Sequence, residues 1–207
     1  MATVNGVRAQ PGWTFWLLWM CAVVAGALAG MFASAVAFAV VGLISPATSV
    51  AGGSAGLWRT GLVTNVIGFD ALGAAIGFVQ WWLLRRYLPG TGWWILATLG
   101  GYSAIGMFPL FSLPFTPAWL AGSIMLTMVG VVLGVLQWLV LRAHVYQAGW
   151  WIVVSTAGWA LAVALIGAAN LTGVYVEPLD LLSVLLIPVA VAGGGMIWLL
   201  RRSSSIG

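Results

Sequence analysis

The sequence predicts an all-α polytopic membrane protein: six transmembrane helices, built as three tandem helical hairpins with pseudo-three-fold symmetry. Three observations predict it. The first is composition: 63% of residues are hydrophobic and 5% charged, with a mean hydropathy of +1.12. A soluble domain carries roughly 25% charged residues, so this chain cannot cover itself with a water-compatible surface. The second is the recurrence of apolar runs long enough to span a bilayer, separated by short polar links. The third is an internal repeat. Gly73, Gly77, Gln80, Trp81, Leu84 and Arg85 recur 57 residues later as Gly130, Gly134, Gln137, Trp138, Leu141 and Arg142. Gly92-Trp93-Trp94-Ile95 returns at the same offset as Gly149-Trp150-Trp151-Ile152.

The elements follow in order. Residues 1–11 are polar and read as a cytoplasmic tail. The first apolar run, Trp13 to about Ile44, exceeds a signal-peptide core and reads as a retained helix. As one helix it would be roughly 48 Å long, against a hydrocarbon core of about 30 Å, so it tilts and protrudes or breaks near Gly42. Ala22, Gly26, Gly30 and Ser34 step by four along it, with Ala25, Ala29, Ala33 and Ala37 alongside. Small residues at that spacing let helix backbones approach closely, either inside this bundle or against another membrane protein. Residues 45–60, rich in Gly, Ser and Ala, read as an exposed outer loop. The second helix runs from about Leu62 to Leu84 and ends at Arg85 and Arg86. After a turn at Pro89–Gly92, the third runs from Trp93 to about Leu113, where Pro109, Pro114 and Pro117 end it. The fourth is about Ala118 to Leu141, closed by Arg142, and the fifth is Trp150 to about Ala169. After a link over 170–178, the sixth spans about Leu181 to Leu200 and ends at Arg201 and Arg202.

Six crossings put both termini on one side. Arg8, Arg85, Arg86, Arg142, Arg201 and Arg202 fall on that side, and Arg59 with Glu177 and Asp180 on the other. Such a bias marks the arginine side as cytoplasmic. With Arg201 set under Arg85, Gly193 falls under Gly77, Trp198 under Trp82, and Met196 under Gln80. Gly12-Trp13 likewise matches Gly92-Trp93. The chain therefore reads as a single transmembrane domain over 1–207 in three units, about 12–86, 92–143 and 149–202.

Few side chains suggest chemistry. Gln80 and Gln137 lie roughly 7 Å inside the arginine boundary. An amide there either bonds a neighbouring helix or forms part of a polar ring that Met196 leaves incomplete. Asp70 is the carboxylate that falls inside a span, and intramembrane carboxylates mark functional candidates. Thr127 occupies the corresponding helix face, and Thr64, Asn65 and Asn170 are candidate partners. Gly73, Gly77, Gly130 and Gly134 read as helix-packing positions, as do Gly26 and Gly30. Arg85, Arg86, Arg142, Arg201, Arg202, Trp81, Trp82, Trp93, Trp94, Trp150 and Trp151 read as interface anchors. Most of the 14 tryptophans cluster at cytoplasmic helix ends, which an aromatic belt accounts for without a ligand; the alternative is a surface for apolar rings such as carotenoid, chlorin or quinone. One histidine, His144, and one cysteine, Cys21, give no metal or haem cluster. No nucleophile elbow or phosphate loop precedes a helix. The chain reads as non-enzymatic and, with its cations at helix ends, not as a nucleic-acid binder.

The pattern G-x-x-x-G-x-x-Q-W-x-x-L-R, followed by a short turn and G-W-W, resembles a family of bacterial six-helix integral membrane proteins. That family has no assigned activity and is frequent in phototrophic lineages such as cyanobacteria and green non-sulfur bacteria. Gly73 to Arg85 and Gly130 to Arg142 carry the resemblance, with Gly92 to Trp94 and Gly149 to Trp151. It implies the six-helix fold, a bacterial inner membrane and a photosynthetic or respiratory setting. The expected role is an accessory or scaffold subunit that packs against lipids, other membrane subunits or apolar pigment. The alternative is a small-solute permease or membrane substrate-binding component using Asp70.

Overall fold

In the bilayer core no water is available to the backbone, so each spanning segment must satisfy its own N–H and C=O groups. The computed structural model follows that rule. It describes residues 11–44, 53–107, 118–172 and 177–204, and among these finds six α-helices and no strand. They are α1 (Trp13–Ile44), α2 (Gly53–Leu84), α3 (Trp94–Met107), α4 (Ala118–Leu141), α5 (Trp150–Leu171) and α6 (Glu177–Ser204), with a short 3-10 turn, Thr91–Trp93, before α3. Among the described residues, all but α3 are long and apolar enough to cross a membrane. The 14 described residues of α3 rise about 21 Å, against a hydrocarbon core of about 30 Å, and the residues that follow Met107 lie outside the description.

Most boundaries fall where the apolar pattern puts them, and α1 continues unbroken past Gly42. Two need correction. The stretch 45–60 is not all loop, because α2 begins at Gly53. Gly and Ser favour turns in water, but helix is the available way to satisfy backbone groups beside a membrane. Similarly, α6 begins at Glu177 rather than near Leu181. Pro178 then sits in the first turn, where a missing N–H costs nothing. The first part of the expected outer loop at 45–52, the expected end of the third helix at 108–113 with the proline-bounded loop after it to Pro117, and the link at 173–176 lie outside the described residues.

The helices form a closed ring. Each packs on the next in sequence, and α6 packs back on α1. Glycines set the spacing. A methyl group added at Gly77 would lie 3.0–3.1 Å from Thr98 Cβ and Ile95 Cα on α3. One added at Gly134 would lie 3.0–3.2 Å from Ile152 Cα and Ser155 Cβ on α5. The contacted positions are again 57 apart. Gly73 meets Tyr102 and Leu99, and Gly130 meets Trp159 and Thr156, in the same register. Gly26 and Gly30 bring α1 onto α2, against Ile76 and Leu72. Between α6 and α1 the close position is Gly193, which faces Trp16 and Trp19.

The arginine-bearing ends of α2, α4 and α6 meet the start of α1 on one face. Phe15 packs edge-on to Tyr87 with centroids 5.1 Å apart. Gly90 abuts His144, and the Tyr146 N–H donates to Ser203 Oγ at 3.1 Å. Arg202 Nη1 donates to Gln147 Oε1 at 2.9 Å. Arg201 Nε donates to the Pro11 carbonyl at 2.9 Å, joining the two ends of the ring. The turns after α2 and α4 share a backbone signature: Gly90 has φ 86° and Gln147 has φ 56°, again 57 apart. The left-handed region is free for glycine but uncommon for glutamine. The largest core cluster, with Trp19, Leu84, Trp94, Leu141, Trp151, Met196 and Leu199, lies towards this end.

Candidate functional site: the axial tryptophan–glutamine core

The second tryptophan of each Gly-Trp-Trp motif turns inward. Neighbouring residues on a helix point about 100° apart, so Trp93 and Trp150 face out while Trp94 and Trp151 are 0% and 1% exposed. Trp94 and Trp151 are therefore not interface anchors, as the sequence suggested, but the centre of the core. A buried indole N–H needs an acceptor. Trp94 Nε1 donates to Gln80 Oε1 at 2.9 Å, and Trp151 Nε1 donates to Gln137 Oε1 at 2.9 Å. Gln137 also donates from Nε2 to Thr98 Oγ1 at 3.0 Å, so it ties α4 to both α3 and α5. Trp94 stands between Trp19 and Trp151, with ring centroids at 6.4 Å and 5.7 Å.

The junction of α6 with α1 is built differently. Met196, fully buried, stands where the repeat elsewhere has glutamine. Trp16 donates to the Ala190 carbonyl at 3.0 Å. Trp19 is 0% exposed, and its indole nitrogen is the buried side-chain polar atom left without a partner among the described residues. Next to this core is a cavity of about 50 Å³ to which all six helices contribute. Its polar wall comprises Trp19, Gln80, Thr98, Tyr102, Gln137 and Ser155. No acidic or basic residue lines it.

The other sequence candidates are dispersed. Asp70 lies half-buried between α2 and α3 and accepts a hydrogen bond from Ser103 Oγ; it is not in the cavity wall. Ser103 was not among its expected partners, because pairing α2 with α3 at that depth requires the helix register. Thr127 donates to the Ser123 carbonyl of its own helix at 2.9 Å. Asn65 is exposed and lines an apolar groove of about 280 Å³ between α1 and α2 with Met31, Phe38 and Leu72. Asn170 falls near the end of α5, and its side chain lies outside the described residues. At the arginine end, guanidinium groups stack on indoles. Arg85 stacks on Trp81 at 5.2 Å, Arg86 on Trp82 at 4.4 Å, Arg142 on Trp138 at 5.5 Å and Arg202 on Trp198 at 4.8 Å. His144 is exposed, its Nδ1 3.0 Å from the Val140 carbonyl oxygen. Among the described residues no group of His, Cys, Asp and Glu could hold a metal ion.

Fold and core together define an integral membrane protein: an apolar helical bundle closed around a tryptophan-rich centre. Compared with known protein families, curated proteins and solved structures, the chain matches none of them.

Proposed function

We propose that the chain crosses a bacterial inner membrane six times, with its arginine end cytoplasmic, and serves as a non-catalytic accessory or scaffold subunit of a larger membrane assembly. Two helices that both run towards the arginine end, α2 and α4, need a return crossing between them, and α3 with the residues after it is the available segment. The shared glycine register and the two Gln–Trp bonds support hairpins related by an approximate three-fold axis.

The observation that carries the functional reading is the division between axis and exterior. Among the described residues the axis is filled by indoles and amides around a cavity of about 50 Å³, with no wider passage along it. The exterior is apolar, with Leu28, Phe32, Phe78, Leu96 and Leu165 all exposed. On α1, Ala25, Ala29 and Ala33 form an exposed small-residue strip, a shape that accepts another transmembrane helix. The groove between α1 and α2 would take an acyl chain or an apolar pigment such as a carotenoid, chlorin or quinone. A photosynthetic or respiratory complex is a setting that supplies such partners.

The test is affinity purification from source membranes in mild detergent, followed by native mass measurement and an absorption spectrum. A stoichiometric membrane subunit or bound pigment supports the reading; a colourless, partnerless chain overturns it. The permease alternative rests on Asp70. Asp70→Asn keeps an acceptor oxygen for Ser103, so the bundle should survive, and loss of solute uptake or binding in that variant would favour the alternative.

A further inference from the structure

We propose that the crevice at the turn after α4 binds one anionic phospholipid, its phosphate held by Arg142 and its glycerol laid along Trp138. The crevice has a volume of about 450 Å³, and its wall includes Trp138, Arg142, Tyr146 and Gln147. Small-molecule sites span about 300–1,000 Å³. Charge selects the ligand. Among the described residues the arginine end carries Arg85, Arg86, Arg142, Arg201 and Arg202 and no acidic side chain. The chain has three acids, Asp70, Glu177 and Asp180. Asp70 lies about 22 Å along α2 from Arg85, and Glu177 opens α6, about 36 Å along that helix from Arg201. No side chain of this protein therefore brings a negative charge to that end, and basic pockets at a membrane surface take lipid phosphates.

The repeat singles out this turn from its counterpart. At the 57-residue offset Arg142 falls on Arg85, but Tyr146 falls on Pro89 and Gln147 on Gly90. Two hydrogen-bonding side chains have replaced two residues that have none. Gln147 holds φ 56° where Gly90 holds φ 86°, a region that costs glycine nothing and that other residues keep mainly at functional positions. Gln147 also accepts from Arg202 Nη1 at 2.9 Å, which brings a second guanidinium group to the crevice wall. Arg142 stacks on Trp138, its guanidinium carbon 5.5 Å from the ring centroid. Stacking uses the face of the guanidinium and leaves its N–H edge for bidentate contact with a phosphate. Trp138 also fixes the source of that phosphate. It lies on α4 one turn inside Arg142, half-buried, where a lipid's glycerol and first methylenes gain contact and a free phosphate ion gains none. The site needs only that the arginine end meets a headgroup layer, on whichever face of the membrane.

The test is native mass spectrometry of the full chain, released from micelles holding equal dioleoyl-phosphatidylglycerol and dioleoyl-phosphatidylcholine. The unsubstituted protein should retain one phosphatidylglycerol in preference to phosphatidylcholine by about fivefold or more, the worth of one arginine at an anionic surface. This comparison needs no variant to fold. Arg142→Gln should remove the preference, while Arg85→Gln, at the repeat-related turn, should keep most of it. Added phosphatidylglycerol should raise the thermal midpoint of the unsubstituted chain and of Arg85→Gln but not of Arg142→Gln, whose midpoint in phosphatidylcholine alone should match the unsubstituted chain. Equal retention of the two lipids by the unsubstituted chain would overturn the proposal. So would an Arg142→Gln chain that keeps the preference, or an Arg85→Gln chain that loses it as fully, which would mark a general field rather than a site. Inorganic phosphate that raises the midpoint as much as phosphatidylglycerol would overturn the lipid as its source.

Discussion

Replacing Gln137 with methionine, the residue found at position 196, tests the axial core directly. Gln137 accepts from Trp151 and donates to Thr98, so Gln137→Met removes two buried interhelical hydrogen bonds at nearly constant volume. Such bonds average about 0.6 kcal/mol each in membrane double-mutant cycles, giving about 1.2 kcal/mol, or about a sevenfold shift in the unfolding equilibrium. The newly orphaned Trp151 N–H raises the upper bound of the cost to about 3 kcal/mol. The assay is reversible unfolding in mixed micelles titrated with denaturing detergent. Trp151→Phe in the Gln137→Met background should cost less than in the native chain, because its hydrogen-bond partner is already gone. A loss below about 0.3 kcal/mol for Gln137→Met, with strictly additive double-mutant energies, would refute the view that these bonds hold α4 to its neighbours.

Other expectations follow from the same packing. Gly134→Leu must push α4 off the Ile152 backbone and should cost about 1–3 kcal/mol by overpacking, read as a lower thermal midpoint in detergent. Gly167→Ala, where nothing lies within 4 Å of the added methyl, should be neutral or stabilising by up to about 1 kcal/mol in the same measurement. Gln147→Gly relieves a side chain held at φ 56°; because Arg202 loses its Gln147 bond as well, the net change should stay within about 1 kcal/mol. Topology is checked in a Cys21→Ala background, where Ser203→Cys should react with a membrane-impermeant maleimide only when the cytoplasmic face is open.

The helices and their arginine ends were legible because each rests on local pattern. Apolar runs, terminal guanidinium groups and the 57-residue echo all survive without knowledge of the packing. The glycine faces on α2 and α4 were also legible, since close approach needs a missing side chain wherever the partner lies. What escaped was direction. Adjacent tryptophans look alike in sequence, and only the helix phase relative to its neighbours sends Trp93 outward and Trp94 onto Gln80. The spacing of 14 between Gln80 and Trp94, repeated between Gln137 and Trp151, was the available signal. The pairing of Asp70 with Ser103 had no counterpart in the repeat and left no signal. The helical start at Gly53 was hidden by a composition that favours turns in water.

The bond from Arg201 to Pro11 spans 190 residues, and that seam has a consequence for biosynthesis. Its N-terminal side is translated first and its C-terminal side last. Until the final helix arrives, Trp16 and Trp19 border an unfinished circle, and lipid tails can offer Trp16 no substitute for the Ala190 carbonyl. The newborn chain therefore passes through an open, horseshoe-like stage whose inner lining is more polar than its surroundings. Shutting that horseshoe is the step at which a helper protein, or a premature partner helix, would have most influence.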